Sequence, residues 1–81
     1  MATDKLVAMT IFRRVAELGS FTRAADDLEI TAATVSKHIA FLEQDLDTRL
    51  INRTTRRMNL TDAGLAFLKR TQSLLDELEA A

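Results

Sequence analysis

The sequence predicts an all-α fold with one small β-hairpin. Four helices are expected, with the hairpin between the third and the fourth. Three observations predict this. Proline is absent from the 81 residues, so no helix is forcibly broken. Apolar residues recur at three- and four-residue spacing along most of the chain. Ser20, Thr31 and Thr61 each stand directly before a helical pattern, where a side-chain oxygen can cap a free N–H group.

The first helix is expected over about 4–18, with Thr3 as its N-cap and Leu6, Met9, Phe12, Val15 and Ala16 as its apolar stripe. Gly19 ends it, because glycine accepts a positive φ at no steric cost. Ser20 opens a second helix that closes near Leu28 and turns Ala24, Ala25 and Leu28 inward. Thr31 opens the third. Ile30 before that cap and Val35 inside it have the spacing of a hydrophobic staple. Val35, Ile39, Leu42 and Leu46 form its buried stripe, leaving Ala32, Ala33, Thr34, Ser36, Lys37 and Ala40 off it.

Leu50 to Leu60 reads as a short hairpin. Leu50 and Asn52 alternate on one side, and Met58 and Leu60 do so on the other. Thr61 caps the fourth helix, and Asp62 suits its positive end. Leu60 and Leu65 repeat the staple spacing. Gly64 in the first turn is about 1 kcal/mol worse than alanine as a helix former, which points to a close contact there.

A chain of 81 residues holds one domain, and 47% hydrophobic content gives it a core. Cysteine is absent, which excludes disulfide and thiol chemistry and suits a reducing cytoplasm. No apolar run approaches the ~18 residues of a membrane span. The N-terminus lacks a basic region followed by an apolar one, so no signal peptide is expected. The net charge is −1, but its distribution is uneven. Residues 31–60 carry five basic and three acidic side chains, whereas residues 61–81 carry two and four. From Thr48 to Thr61 there is no acid, and Arg53, Arg56 and Arg57 lie within that span. The positive field is therefore local to the hairpin.

Two short helices joined by a tight turn, then a cationic hairpin, make up what a winged helix-turn-helix needs to bind DNA. The third helix has one apolar stripe and a small-polar opposite face, which fits a major groove about 12 Å wide. Thr31, Ala32, Ala33, Thr34, Ser36 and Lys37 are its candidate base-facing residues. Alanines 32 and 33 are small enough to touch a thymine methyl, and Lys37 can donate to guanine or phosphate. His38 can contact a phosphate or a base. With no second histidine and no cysteine, no metal site is expected. Of Arg53, Arg56 and Arg57, one is expected in the minor groove and the others on phosphates. Arg53 has a competing structural role as the ion-pair partner of Glu43 or Asp45. Ser20 can help hold a phosphate, although capping explains it already. Phe41 lies off the apolar stripe and is open to a neighbouring helix or a partner surface.

These residues resemble the N-terminal DNA-binding domain of LysR-type transcriptional regulators. The resemblance rests on Phe12, Gly19-Ser20-Phe21, Ala24-Ala25 with Leu28, and Val35-Ser36 with Ile39 and Leu42-Glu43. It continues through Leu50, Asn52-Arg53-Thr54-Thr55-Arg56 and Leu60-Thr61-Asp62-Ala63-Gly64, and so runs through essentially the whole chain. Glu29 stands where the family commonly has a helix-ending glycine or asparagine, Asp47 stands where a glycine usually follows the third helix, and Thr34 replaces a common alanine or proline. The resemblance implies a bacterial, cytoplasmic regulator with residues 1–60 as the winged domain and residues 61–81 as a linker and dimerisation helix. It also implies that a larger effector-binding domain follows. That domain would take the small-molecule effector, so no cofactor is expected in this chain.

The fourth helix carries more apolar surface than a small domain can cover, with Leu68, Leu74, Leu75 and Leu78 as candidate dimerisation residues. Leu65 and Leu68 fit folding back on the core, whereas the stretch from Leu74 to Leu78 fits it poorly. The resemblance implies that two such helices pair antiparallel into a homodimer, with higher oligomers open to the full-length protein. A dimer would read an inverted repeat in double-stranded DNA, with half-sites about 34 Å apart. Nothing in the sequence assembles a catalytic constellation, so no enzyme activity is expected. The remaining alternative is a winged-helix protein-interaction module without DNA binding, which the acidic pI of about 5.7 favours and the acid-free arginine hairpin opposes.

Overall fold

The computed structural model describes residues 2–52 and 58–81. Its elements are α1 (Ala2–Leu18), α2 (Phe21–Leu28), α3 (Ala32–Leu46), β1 (Ile51–Asn52), β2 (Asn59–Leu60) and α4 (Asp62–Ala80). The strands pair antiparallel, Ile51 opposite Leu60 and Asn52 opposite Asn59. The core is formed by Ala8, Met9, Ile11, Phe12 and Val15 of α1, Ala24 and Ala25 of α2, Val35, Ile39 and Leu42 of α3, and Leu50 and Ile51. Among the described residues no helix is long and apolar enough to cross a membrane.

α1 is the hub, packing against α2, α3 and α4. That position widens its buried arc beyond a single stripe. Ala8 and Ile11 are buried, whereas Leu6 is 41% exposed and does not belong to the core face as its spacing suggests. The helix begins at Ala2, so Thr3 lies in its first turn and is not its N-cap.

The other three caps form as their sequences predict. Ser20 Oγ accepts the Arg23 N–H at 3.2 Å. Thr31 Oγ1 accepts the Thr34 N–H at 3.1 Å, and Thr61 Oγ1 accepts the Gly64 N–H at 2.9 Å. α2 and α3 end on left-handed residues, Glu29 at φ 58° and Asp47 at φ 52°. At each end two N–H groups fold back onto the last turn, from Glu29 and Ile30 to Asp26 and Ala25, and from Asp47 and Thr48 to Gln44 and Glu43. These are Schellman closures, normally made with glycine.

The hairpin is shorter than its expected span, with two residues per strand. Leu50 and Asn52 do not share a side as their alternation suggests. Leu50 and Ile51 are both buried and Asn52 is exposed, because Leu50 precedes the paired strand and enters the core separately. Gly64 brings α4 against this entry. A Cβ there would collide with the Leu50 carbonyl, lying 2.9 Å from its carbon.

α4 packs along α1 over most of its length. Gly64, Thr71 and Leu75 are buried, Phe67 and Leu68 are half-buried, and the Phe12 and Phe67 rings lie 5.5 Å apart. Two expectations change here. Leu65 is 49% exposed, so it does not complete a staple with Leu60. Leu75 folds onto the chain's own core, whereas Leu74 and Leu78 remain more than half exposed. Arg13 Nη1 on α1 meets Asp76 Oδ1 at 3.0 Å and fixes the lower half of α4 in this position.

Candidate nucleic-acid interface

The turn from Glu29 to Thr31 sets α3 against α2, and the buried Val35, Ile39 and Leu42 fix which face of α3 looks outward. Thr31, Ala32, Ala33 and Lys37 are exposed there, and Thr34, Ser36 and His38 are half-buried. The hydroxyls of Thr31 and Thr34 lie 2.8 Å apart and form a hydrogen-bonded pair at the start of the helix. Ser20 sits half-buried at the start of α2, where its oxygen is occupied by capping.

Thr34, Lys37, His38 and Phe41 line a shallow concavity of about 380 Å³. Phe41 thus finds its place: it forms one wall of the outward face of α3. The signal was present in the sequence, since positions 34, 37, 38 and 41 follow the i, i+3, i+4, i+7 spacing of one helix face. The His38 Nδ1–H donates to the Thr34 carbonyl at 2.9 Å.

Charge is partitioned between scaffold and outer face. Lys5 pairs with Asp45 at 3.0 Å, and Arg14 Nε reaches Asp27 Oδ2 at 2.6 Å. Arg13 and Arg14 both reach Glu17. Hydrogen bonds from Arg14 hold the Asp27 carboxyl below its ordinary value. The same contacts raise the pKa of both arginines, chiefly through Glu17 for Arg13 and Asp27 for Arg14. Among the described residues, Arg23 and Lys37 on the helix-turn-helix, and Lys69 and Arg70 on α4, carry exposed cationic side chains with no salt bridge. Arg23, in the first turn of α2, was not singled out by its sequence context.

Glu43 connects α3 to the hairpin. Its Oε2 accepts the N–H groups of Leu50 at 2.9 Å and Ile51 at 3.2 Å. Arg49 lies 3.9 Å from its other oxygen. The carboxylate therefore satisfies two backbone donors at the hairpin entry. Asp45, the other partner considered for Arg53, is paired with Lys5. Arg53, Arg56 and Arg57, the expected contacts of the hairpin tip, lie outside the described residues.

Of the four candidate dimerisation leucines, Leu74 and Leu78 present apolar surface, Leu68 is half-buried and Leu75 is buried.

The chain is 51% identical over 80 residues to an HTH-type transcriptional repressor of Pseudomonas aeruginosa, covering 95% of this chain and 25% of that protein. It is 42% identical over 73 residues to the HTH-type transcriptional regulator CrgA of Neisseria meningitidis, covering 90% and 24%. The chain spans about a quarter of the length of these curated relatives. Among solved structures it is similar to the BenM DBD in its complex with catB site 1 DNA, with TM-score 0.90, 33% identity, and coverage of 93% of this chain and 83% of that one. It also matches the full-length virulence activator AphB of Vibrio cholerae, with TM-score 0.84, 39% identity, and coverage of 93% and 26%. The family model described as bacterial regulatory helix-turn-helix protein, lysR family, matches residues 6–65, and on these grounds the chain belongs to the LysR family of bacterial transcriptional regulators.

Proposed function

We propose that this chain binds double-stranded DNA sequence-specifically as the DNA-reading part of a bacterial LysR-type regulator. In this reading α3 enters the major groove and residues 50–60 contact the adjacent minor groove and phosphates. One observation carries it: the outward face of α3 holds small and polar side chains and the unpaired Lys37, on a fold matching that of the BenM DBD solved with DNA. Thr31, Ala32, Ala33, Thr34, Ser36, Lys37 and His38 are assigned to the groove. Ser20, Arg53, Arg56 and Arg57 are assigned to the backbone and minor groove. A protein-interaction module without DNA binding is not favoured.

The protein acts as a homodimer through α4, with the exposed Leu74 and Leu78 at the centre of the contact. Two copies place their α3 helices on an inverted repeat with half-sites about 34 Å apart.

The test is selection of the purified chain against a random duplex library, followed by a salt series on the winning sequence. The expected result is an inverted repeat whose affinity falls about a thousandfold between 50 and 200 mM salt, as for a protein contacting six or more phosphates. The absence of enrichment and of any salt-sensitive duplex binding, with the dimer enforced, would refute the reading.

A further inference from the structure

We propose that His38, Lys37 and Phe41 together read one A·T base pair, His38 by accepting a hydrogen bond from the exocyclic amine of adenine. The proposal rests on the DNA-binding reading above and specifies its chemistry.

A hydrogen bond inside α3 orients the His38 ring. A carbonyl oxygen can only accept, so the contact at 2.9 Å between His38 Nδ1 and the Thr34 carbonyl places a proton on Nδ1. In the neutral imidazole the other nitrogen, Nε2, is then an acceptor. Nε2 has no partner among the described residues, yet Thr71 Oγ1 is the buried side-chain atom left unpaired there, so Nε2 is open to solvent. The backbone thus fixes which ring nitrogen is presented outward and, in the neutral ring, makes it an acceptor.

The neighbours complete the pattern. Lys37 is exposed, has no salt bridge among the described residues, and is a pure donor. Phe41, 37% exposed, supplies an apolar wall to the same concavity. The face therefore offers an acceptor, a donor and an apolar surface. In the major groove an A·T pair offers the complement: the adenine N6 amine as donor, thymine O4 as acceptor, and the thymine methyl. A G·C pair offers a cytosine amine to Nε2 and guanine acceptors to Lys37, but it has no methyl for Phe41, so the apolar wall is what favours A·T.

The experiment uses the operator recovered by selection and changes single atoms of each A·T pair. Replacing adenine by 2-aminopurine moves the amine to the minor groove, and replacing thymine by uracil removes the methyl. At one A·T pair in each half-site the wild type should lose about 5- to 150-fold in affinity with 2-aminopurine, the range of a single mismatched pair. His38→Asn, which has no group at the Nε2 position, should erase that loss. His38→Gln, whose amide oxygen can take the place of Nε2, should keep it. Phe41→Ala should erase the smaller loss caused by uracil. Equal 2-aminopurine penalties in wild type and His38→Asn at every position would overturn the proposal and leave DNA binding intact. Should His38→Asn not fold, a wild type indifferent to 2-aminopurine at every position overturns it equally. A wild type that binds no duplex at low salt overturns both readings.

Discussion

Gly64 lies directly beneath the Leu50 carbonyl, which also accepts the Thr61 N–H at 3.0 Å. Thr61 Oγ1 donates to the Arg49 carbonyl at 2.6 Å, so the start of α4 and the entry to the hairpin form one hydrogen-bonded joint. A side chain at position 64 has no room in it. Gly64→Ala will therefore destabilise the domain by about 1–3 kcal/mol despite the better helix propensity of alanine. Urea unfolding monitored by circular dichroism measures this, and an unchanged or raised midpoint would contradict the packing described.

Glu29 takes a left-handed conformation at the end of α2, with φ 58° and ψ 42°. Its backbone carries the closure, and no side-chain hydrogen bond or salt bridge of Glu29 is present among the described residues. Glu29→Gly will stabilise the domain by about 0.5–1 kcal/mol, as relief of the left-handed strain outweighs the added freedom of the unfolded chain. Thermal unfolding will show a higher midpoint. A lower one would mean that the Glu29 side chain contributes a contact beyond its backbone.

The pair between Arg14 and Asp27 joins α1 to α2 through two hydrogen bonds, at 2.6 and 3.2 Å. Those bonds hold the folded Asp27 carboxyl below its ordinary 3.8. A carboxyl with a lowered folded pKa stabilises the fold fully above its unfolded pKa and loses that contribution as pH falls through the folded one. Asp27→Asn will thus be less stable than wild type at neutral pH, and the difference will close on acidification below 3.8. The effect is modest because both side chains are partly solvated. A difference independent of pH would assign the loss to packing.

Leu78 is 58% exposed and Leu74 is 54% exposed, whereas Leu75 between them is buried. Leu78→Asp will weaken dimerisation by about ten- to hundredfold while leaving the monomer fold intact, consistent with removing one buried leucine from the contact. Sedimentation equilibrium across a concentration series reads this. Leu75→Asp will unfold α4 from α1 as well, so it does not isolate the dimer. An unaltered association constant in Leu78→Asp would remove that residue from the interface.

The helix starts were legible because capping depends on single side chains. Ser20, Thr31 and Thr61 each bond the N–H three residues on, as their positions require. Gly64 was legible as an anomaly, a poor helix former in a first turn. The packing of α4 was less so. Its burial runs through Gly64, against the Leu50 carbonyl, and Thr71, small residues that allow close approach but add nothing to an apolar pattern. Counting leucines therefore turned Leu65 inward and Leu75 outward, the reverse of the structure. Ile11 was missed for a related reason: a helix packed on three sides buries more than one stripe. On the interface, Phe41 was visible as a residue without a role, and it became intelligible only with Thr34, Lys37 and His38 around it. Glu43 bonds to backbone N–H groups of Leu50 and Ile51, which no side-chain pattern encodes.

The mutual neutralisation of Lys5, Arg13 and Arg14 by Asp45, Glu17, Asp27 and Asp76 has a kinetic consequence. At a distance beyond a Debye length of about 8 Å, the domain presents a nearly balanced charge, and duplex DNA exerts little long-range pull on it. Encounter will proceed near the unsteered rate of about 10⁵–10⁷ M⁻¹s⁻¹, with a shallow dependence on ionic strength. Salt sensitivity will then reside in the lifetime of the bound state, so this domain holds its site by slow departure and not by fast arrival.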